Sequence, residues 1–175
     1  MSVFDNLNVD KVKNIRLHVE DNAKIVDSIV DDIIQPYCKD LDNYVRFVAS
    51  CLKNGETPPT TGELEDFCMN LSSLIYFAGG MCESLGVRDD ISKAVYKETY
   101  NNARDNCERG TVADKNTQAE LESQQEQLTN ICFSRAYKTM KAKVDAAQEL
   151  LSSAKKVLSH RMQEENLTHL MSNLD

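Results

Sequence analysis

Apolar positions along this chain recur at alternating spacings of three and four, the repeat of one helix face. Val12, Ile15, Val19, Ala23, Val26, Val30 and Ile33 form the first stripe and predict a helix over about 10–34. Pro36 follows, and a residue before proline is pushed out of the α region, so a stop is expected there. Leu41, Tyr44, Val45, Val48 and Leu52 predict a second helix over about 37–53, and the Gly- and Pro-rich run 54–59 predicts a loop. Thr60 with Glu63 has the spacing of a capping box, opening a third helix marked by Leu64, Phe67, Cys68, Leu71, Ile75, Ala78, Cys82 and Leu85. Gly79-Gly80 is expected to kink it or permit close packing. Gly86 is expected to end it, and Asp89 to cap a fourth helix reaching about Arg109.

Gly110 breaks the chain again, and Thr111 with Asp114 forms a second capping-box pattern. From Val112 to Leu167 there is neither Gly nor Pro, a stretch on the order of 80 Å long if it is one helix. Its later part carries Phe133, Ala136, Met140, Val144, Ala147, Leu151, Ala154, Leu158 and Met162, a sustained seam of coiled-coil or helical-hairpin type. Gln118 to Gln127 is polar nearly all round and reads as a solvated turn or arm, and Met171 to Asp175 are expected to fray. The fold class is therefore all-α: about five helices, with an acidic N-terminal bundle over 1–110 and a long C-terminal coiled-coil-like helix over 111–170. Self-association is expected through Phe133, Met140, Val144, Ala147, Leu151, Leu158 and Met162, because an apolar stripe of that length would otherwise aggregate.

Composition sharpens this picture in two places. All six glycines and three prolines fall between Pro36 and Gly110, so both ends of the chain can run as uninterrupted helix. The net charge of −8 is unevenly spread. Residues 1–70 hold 13 acidic and 7 basic side chains, whereas 131–162 hold seven cations against Asp145 and Glu149. An acidic total argues against a dedicated duplex-DNA binder, but a local basic stripe can still contact phosphates.

Catalytic and metal-binding patterns are lacking. Cys38, Cys51, Cys68, Cys82, Cys107 and Cys132 form no CxxC pair and lie away from histidines, so neither a metal nor a cofactor is expected. His18, His160 and His169 are widely separated, and no GxSxG, HExxH, ExxH or phosphate-loop spacing occurs. Paired carboxylates such as Asp31-Asp32 and Asp89-Asp90 fall near helix starts or on polar faces, where solvent and the helix dipole account for them. The segment Ser2, Val3, Phe4, Asp5 lacks the features of a secretory leader, and no window is apolar enough to span a membrane, so a cytoplasmic chain is expected.

One feature carries functional content. On a helical wheel Lys138 and Lys156 coincide, with Arg135, Lys141 and Lys155 within about 100°, opposite the apolar seam. Arg161 extends the stripe, and Tyr137 flanks it as a ring on which a base can stack. The competing reading is a solvated face in which Asp145 and Glu149 pair with Lys141 and Lys156.

Certain segments resemble a known group. Arg88-Asp89-Asp90-Ile91-Ser92-Lys93-Ala94-Val95-Tyr96-Lys97-Glu98, Tyr100 with Ala103, Gly110-Thr111-Val112-Ala113-Asp114-Lys115, Arg135-Ala136-Tyr137-Lys138 and Leu158-Ser159-His160-Arg161-Met162 are similar to small helical bacteriophage proteins encoded among replication and recombination functions. In outline the stretch looks like the phage recombination mediators. The resemblance implies a helical, oligomeric, non-enzymatic protein that helps load a recombinase onto single-stranded DNA. It spans about residues 64–165 and leaves the acidic N-terminal part outside, and the net negative charge departs from it.

The expected function is accordingly a recombination or replication accessory protein in the host cytoplasm, with single-stranded DNA and a recombinase or other protein as partners. Two alternatives stand beside it. One is a virion-assembly adapter or scaffold acting by helix–helix association. The other is an inhibitor whose acidic helices, with Asp27, Asp31, Asp32, Asp40 and Asp42, imitate DNA phosphates toward a host or defence protein.

Overall fold

The computed structural model describes residues 9–54, 59–107 and 110–172, and every element in them is helical. Helix α1 spans Val9–Asn54, α2 Thr61–Asn106, α3 Val112–Glu122 and α4 Gln124–Ser172. Of the expected loop over 54–59, residues 55–58 lie outside the described residues and Asn54 still belongs to α1. The expected helix end at Arg109 and residues 173–175 of the segment 171–175 expected to fray lie outside them too, while 171 and 172 are helical.

Four helices replace the five expected, and each difference has a local cause. The first two expected helices are one, because α1 runs straight through Pro36. An interior proline costs about 3 kcal/mol, yet Ile34 and Cys38, one turn apart on either side of it, are both buried. Burying Val30, Ile34 and Leu41 around it contributes roughly 1.5–3 kcal/mol each, so packing outweighs the break. The third and fourth expected helices are likewise one, because α2 continues through Gly79, Gly80 and Gly86. Gly86 does not terminate it but admits a close approach: a methyl group there would stand 3.2 Å from the Tyr137 ring of α4.

The long C-terminal stretch is interrupted once, at Ser123, with φ −98° and ψ 11°. The Ser123 hydroxyl donates to the Ala119 carbonyl at 2.7 Å, a back-bond that competes with regular helix geometry. The interruption is slight, since the Ser123 amide still donates to Ala119 and its carbonyl accepts from the Gln127 amide. The polar segment around it is not simply solvated, because Ala119 and Ser123 are fully buried.

These helices assemble around an antiparallel hairpin of α2 with α3 and α4. Asn130 donates to the Ser92 hydroxyl at 3.0 Å, Gly86 faces Tyr137, and the Thr61 hydroxyl donates to Glu165. Each step up α2 is thus matched by a step down its partner. Helix α1 lies antiparallel to α2, as Arg88 donating to the Tyr37 hydroxyl at 2.8 Å and the Phe47–Phe67 ring contact require. Val30, Ile34, Cys38 and Leu41 of α1 meet Leu71, Ile75, Ala78, Cys82 and Leu85 of α2 and Ala136, Met140, Val144 and Ala147 of α4 in one core. That core draws on residues from both sides of position 110.

Both capping boxes form as the sequence predicts. Thr60 and Thr111 accept from the amides of Glu63 and Asp114, whose carboxylates return to the threonine amides at 2.7 and 2.8 Å. These bonds hold both carboxyls below their ordinary values. Gly110, at φ +127°, makes the turn into α3, a backbone conformation in which a side chain is strained.

The glycines of α2 provide a test. Nothing lies within 4 Å of a methyl group placed at Gly80. Gly80→Ala is therefore expected to stabilise the fold by about 0.5–1 kcal/mol through helix propensity. Gly86→Ala meets Tyr137 and is expected to gain less or to destabilise. Thermal unfolding of the two variants checks this, and an equal gain at both sites would contradict the close approach.

Candidate nucleic-acid interface

The face of α4 turned away from the core carries the basic residues. Its inward stripe, Cys132, Ala136, Met140, Val144 and Ala147, is buried, which leaves Arg135, Lys138, Lys141, Lys155 and Lys156 exposed. None of these five takes part in an ion pair among the described residues. The pairs expected to neutralise the stripe, Lys141 with Asp145 and Lys156 with Glu149, do not form. Lys143 of α4 instead pairs with Asp42 of α1, at 2.6 Å, and His160 Nδ1 lies 3.7 Å from a Glu164 carboxylate oxygen. The first occupies Asp42, one of the aspartates expected on an acidic α1 face.

Two residues of the expected stripe stand elsewhere. Tyr137 is half-buried with its ring against Gly86, packed into the α2–α4 seam and not displayed beside Lys138. Arg161 is half-buried and lines an apolar cavity with Pro59, Leu64, Phe67 and Val157 at the end of the bundle. The seven residues expected as an oligomer seam divide as well. Met140, Val144 and Ala147 are buried in the chain's own core, and Leu151 packs partly against it. Leu158 is half-buried, Met162 is exposed, and Phe133 lines a groove with Ile91 and Val95 of α2.

The two most exposed aromatics among the described residues come from α2, and the single-helix wheel of α4 does not contain them. Tyr76 is 77% exposed and Phe77 65%, with their rings edge to face at 5.5 Å and Met69 and Met81 exposed near them in sequence. Tyr76, Phe77, Gly79 and Gly80 border a shallow depression completed by Gln148 of α4. Gln148 lies seven residues from both Lys141 and Lys155, two helical turns each way along one face. Burial chiefly raises the Cys82 and Cys68 thiols of α2, while Lys141 acts against the rise at Cys82 and Lys155 at Cys68. A pair of lysines thus flanks an aromatic pair on one α2–α4 surface. The wheel contained a signal for this: Tyr76 and Phe77 fall off the Leu71–Ile75–Ala78–Cys82 stripe, an odd position for two large rings.

Among the described residues no group of three or more His, Cys, Asp or Glu side chains is placed to hold a metal ion. No described helix is long and apolar enough to cross a membrane. All six cysteines are thiols. Cys38 is pushed up by burial and by Asp42, with Lys143 acting in the opposite sense. A raised thiol carries little thiolate at neutral pH and reacts slowly.

Comparison of the chain with protein-family models, curated proteins and solved structures finds no match. The described residues form an all-helical bundle whose α4 presents exposed basic side chains.

Thiol reactivity tests the burial pattern. In the native protein Cys51 and Cys107, both half-buried, are expected to react with a bulky disulfide reagent well before the buried Cys38, Cys68, Cys82 and Cys132. Rapid modification of all six would contradict the packing of α2 against α1 and α4.

Proposed function

We propose that this chain is a non-enzymatic accessory protein of phage recombination or replication that binds single-stranded DNA and assists a recombinase. The observation that carries the reading is the set of five exposed cations on α4 without ion-pair partners among the described residues, two of which, Lys141 and Lys155, flank Gln148 beside the exposed Tyr76–Phe77 pair. Single strands are held by cations that follow the backbone and by rings on which successive bases stack. Charge reaches phosphates most effectively where no carboxylate has claimed it. The resemblance to the recombination mediators adds the recombinase, since Arg135-Ala136-Tyr137-Lys138 is among the segments that carry it.

A second reading, an assembly adapter, is favoured by the same aromatics together with Met69 and Met81. Aromatic residues and methionine are enriched at protein–protein interfaces, and here four of them are exposed on one helix.

Fluorescence anisotropy with a labelled single strand separates the two. Lys138→Glu with Lys156→Glu is expected to weaken binding at least tenfold while circular dichroism stays unchanged, because both side chains are exposed. Tyr76→Ala with Phe77→Ala is expected to cost roughly 1–3 kcal/mol per lost stack. Unaltered affinity in the charge-reversed variant overturns the DNA reading, and absence of binding by the unmodified chain favours the adapter.

A further inference from the structure

We infer that the apolar cavity at the end of the bundle binds a small carboxylic acid with an apolar body, such as a medium-chain fatty acid, and that Arg161 holds its carboxylate. The cavity measures about 200 Å³ and draws its lining from all three long helices. Val48 of α1 and Leu64 and Leu71 of α2, all buried, form its floor. Phe67 of α2 and Leu150 of α4, both half-buried, extend the apolar lining. An apolar cavity of roughly 150 Å³ is enough to take benzene, so a hydrocarbon body of that size or somewhat larger fits here.

The charged end follows from the register of α4. Leu150, Ala154, Val157 and Arg161 succeed one another at spacings of four, three and four, so all four share one helix face. Arg161 thus stands where the next apolar residue of that face would fall, and it is the one charged residue of the lining. Because α2 runs antiparallel to α4, Leu64 falls toward the Arg161 end and Leu71 nearer Leu150. The guanidinium also lacks a counter-charge. Glu164 and Glu165, three and four residues on, are the carboxylates that an arginine on a helix ordinarily meets. Glu165 instead accepts from the Thr61 hydroxyl, and Glu164 lies beside His160. Arg161 takes part in no ion pair among the described residues. A guanidinium is always protonated, and its planar fork matches a carboxylate. A strongly polar ligand would lose its hydration against the leucine floor, and a neutral one would leave the charge unanswered. A carboxylate on an apolar body satisfies both ends. None of the five exposed α4 cations lines this cavity, so the inference stands apart from the binding of single strands.

Titration calorimetry of the full chain with octanoate, and with octan-1-ol as a neutral molecule of similar length, tests this. Octanoate is expected to bind at one equivalent per chain, roughly tenfold or more tightly than octan-1-ol, the difference one charge-assisted pairing makes. Arg161→Gln is expected to bring octanoate down to the affinity of the alcohol while the alcohol's own affinity and the circular dichroism stay unchanged. Ala154→Phe, which places a ring against the lining, is expected to abolish binding of both. Octanoate that does not bind at millimolar concentration overturns the inference. Equal affinity for acid and alcohol overturns it too, as does octanoate affinity undiminished in Arg161→Gln.

Discussion

The antiparallel register between α2 and α4 is the constraint on which the rest of the molecule depends. Leu71, Leu85, Ala136 and Met140 are buried in one core at or near zero exposure, and burial of each large side chain contributes roughly 1.5–3 kcal/mol. A side-chain period of 3.6 residues means that rotating either helix to hide a different stripe would expose these four together. Three specific features hold the alignment along its length: the Ser92–Asn130 hydrogen bond, the Gly86–Tyr137 approach and the Thr61–Glu165 bond. Once the seam is set, α1 has one apolar groove to fill, and the outward faces of α2 and α4 are determined.

Much of this was legible in the residues. The three-four repeats located most of α1, the first half of α2 and the later part of α4, and both capping boxes form at the threonines that signal them. Local propensity alone sets helix boundaries at Pro36 and Gly86, and the packing on either side removes both. Ile34 and Cys38 carry α1 across its proline, and the Tyr137 ring uses the missing side chain of Gly86. The break at Ser123 has no Gly or Pro to announce it; it arises from a buried hydroxyl bonding its own helix.

The functional surface was legible in part for a related reason. A wheel drawn on one helix placed Arg135, Lys138 and Lys156 outward, and they are exposed. It could not say that Tyr137 would be taken up by α2, nor that the neighbouring helix would bring Tyr76 and Phe77 to the same surface. Sites formed across two helices depend on tertiary register, which a single-helix projection does not contain. The seam residues Met140, Val144 and Ala147 show the same limit, since their spacing is common to intrachain and interchain packing.

The salt dependence of single-strand binding tests the central functional claim most directly. Neutralising Z phosphates on a single strand gives a slope of about −0.7Z in log affinity against log salt. With Arg135, Lys138, Lys141, Lys155 and Lys156 all engaged, the account expects a slope of about −3 to −4. A slope near zero, or no binding at the lowest salt, would contradict a phosphate path along α4.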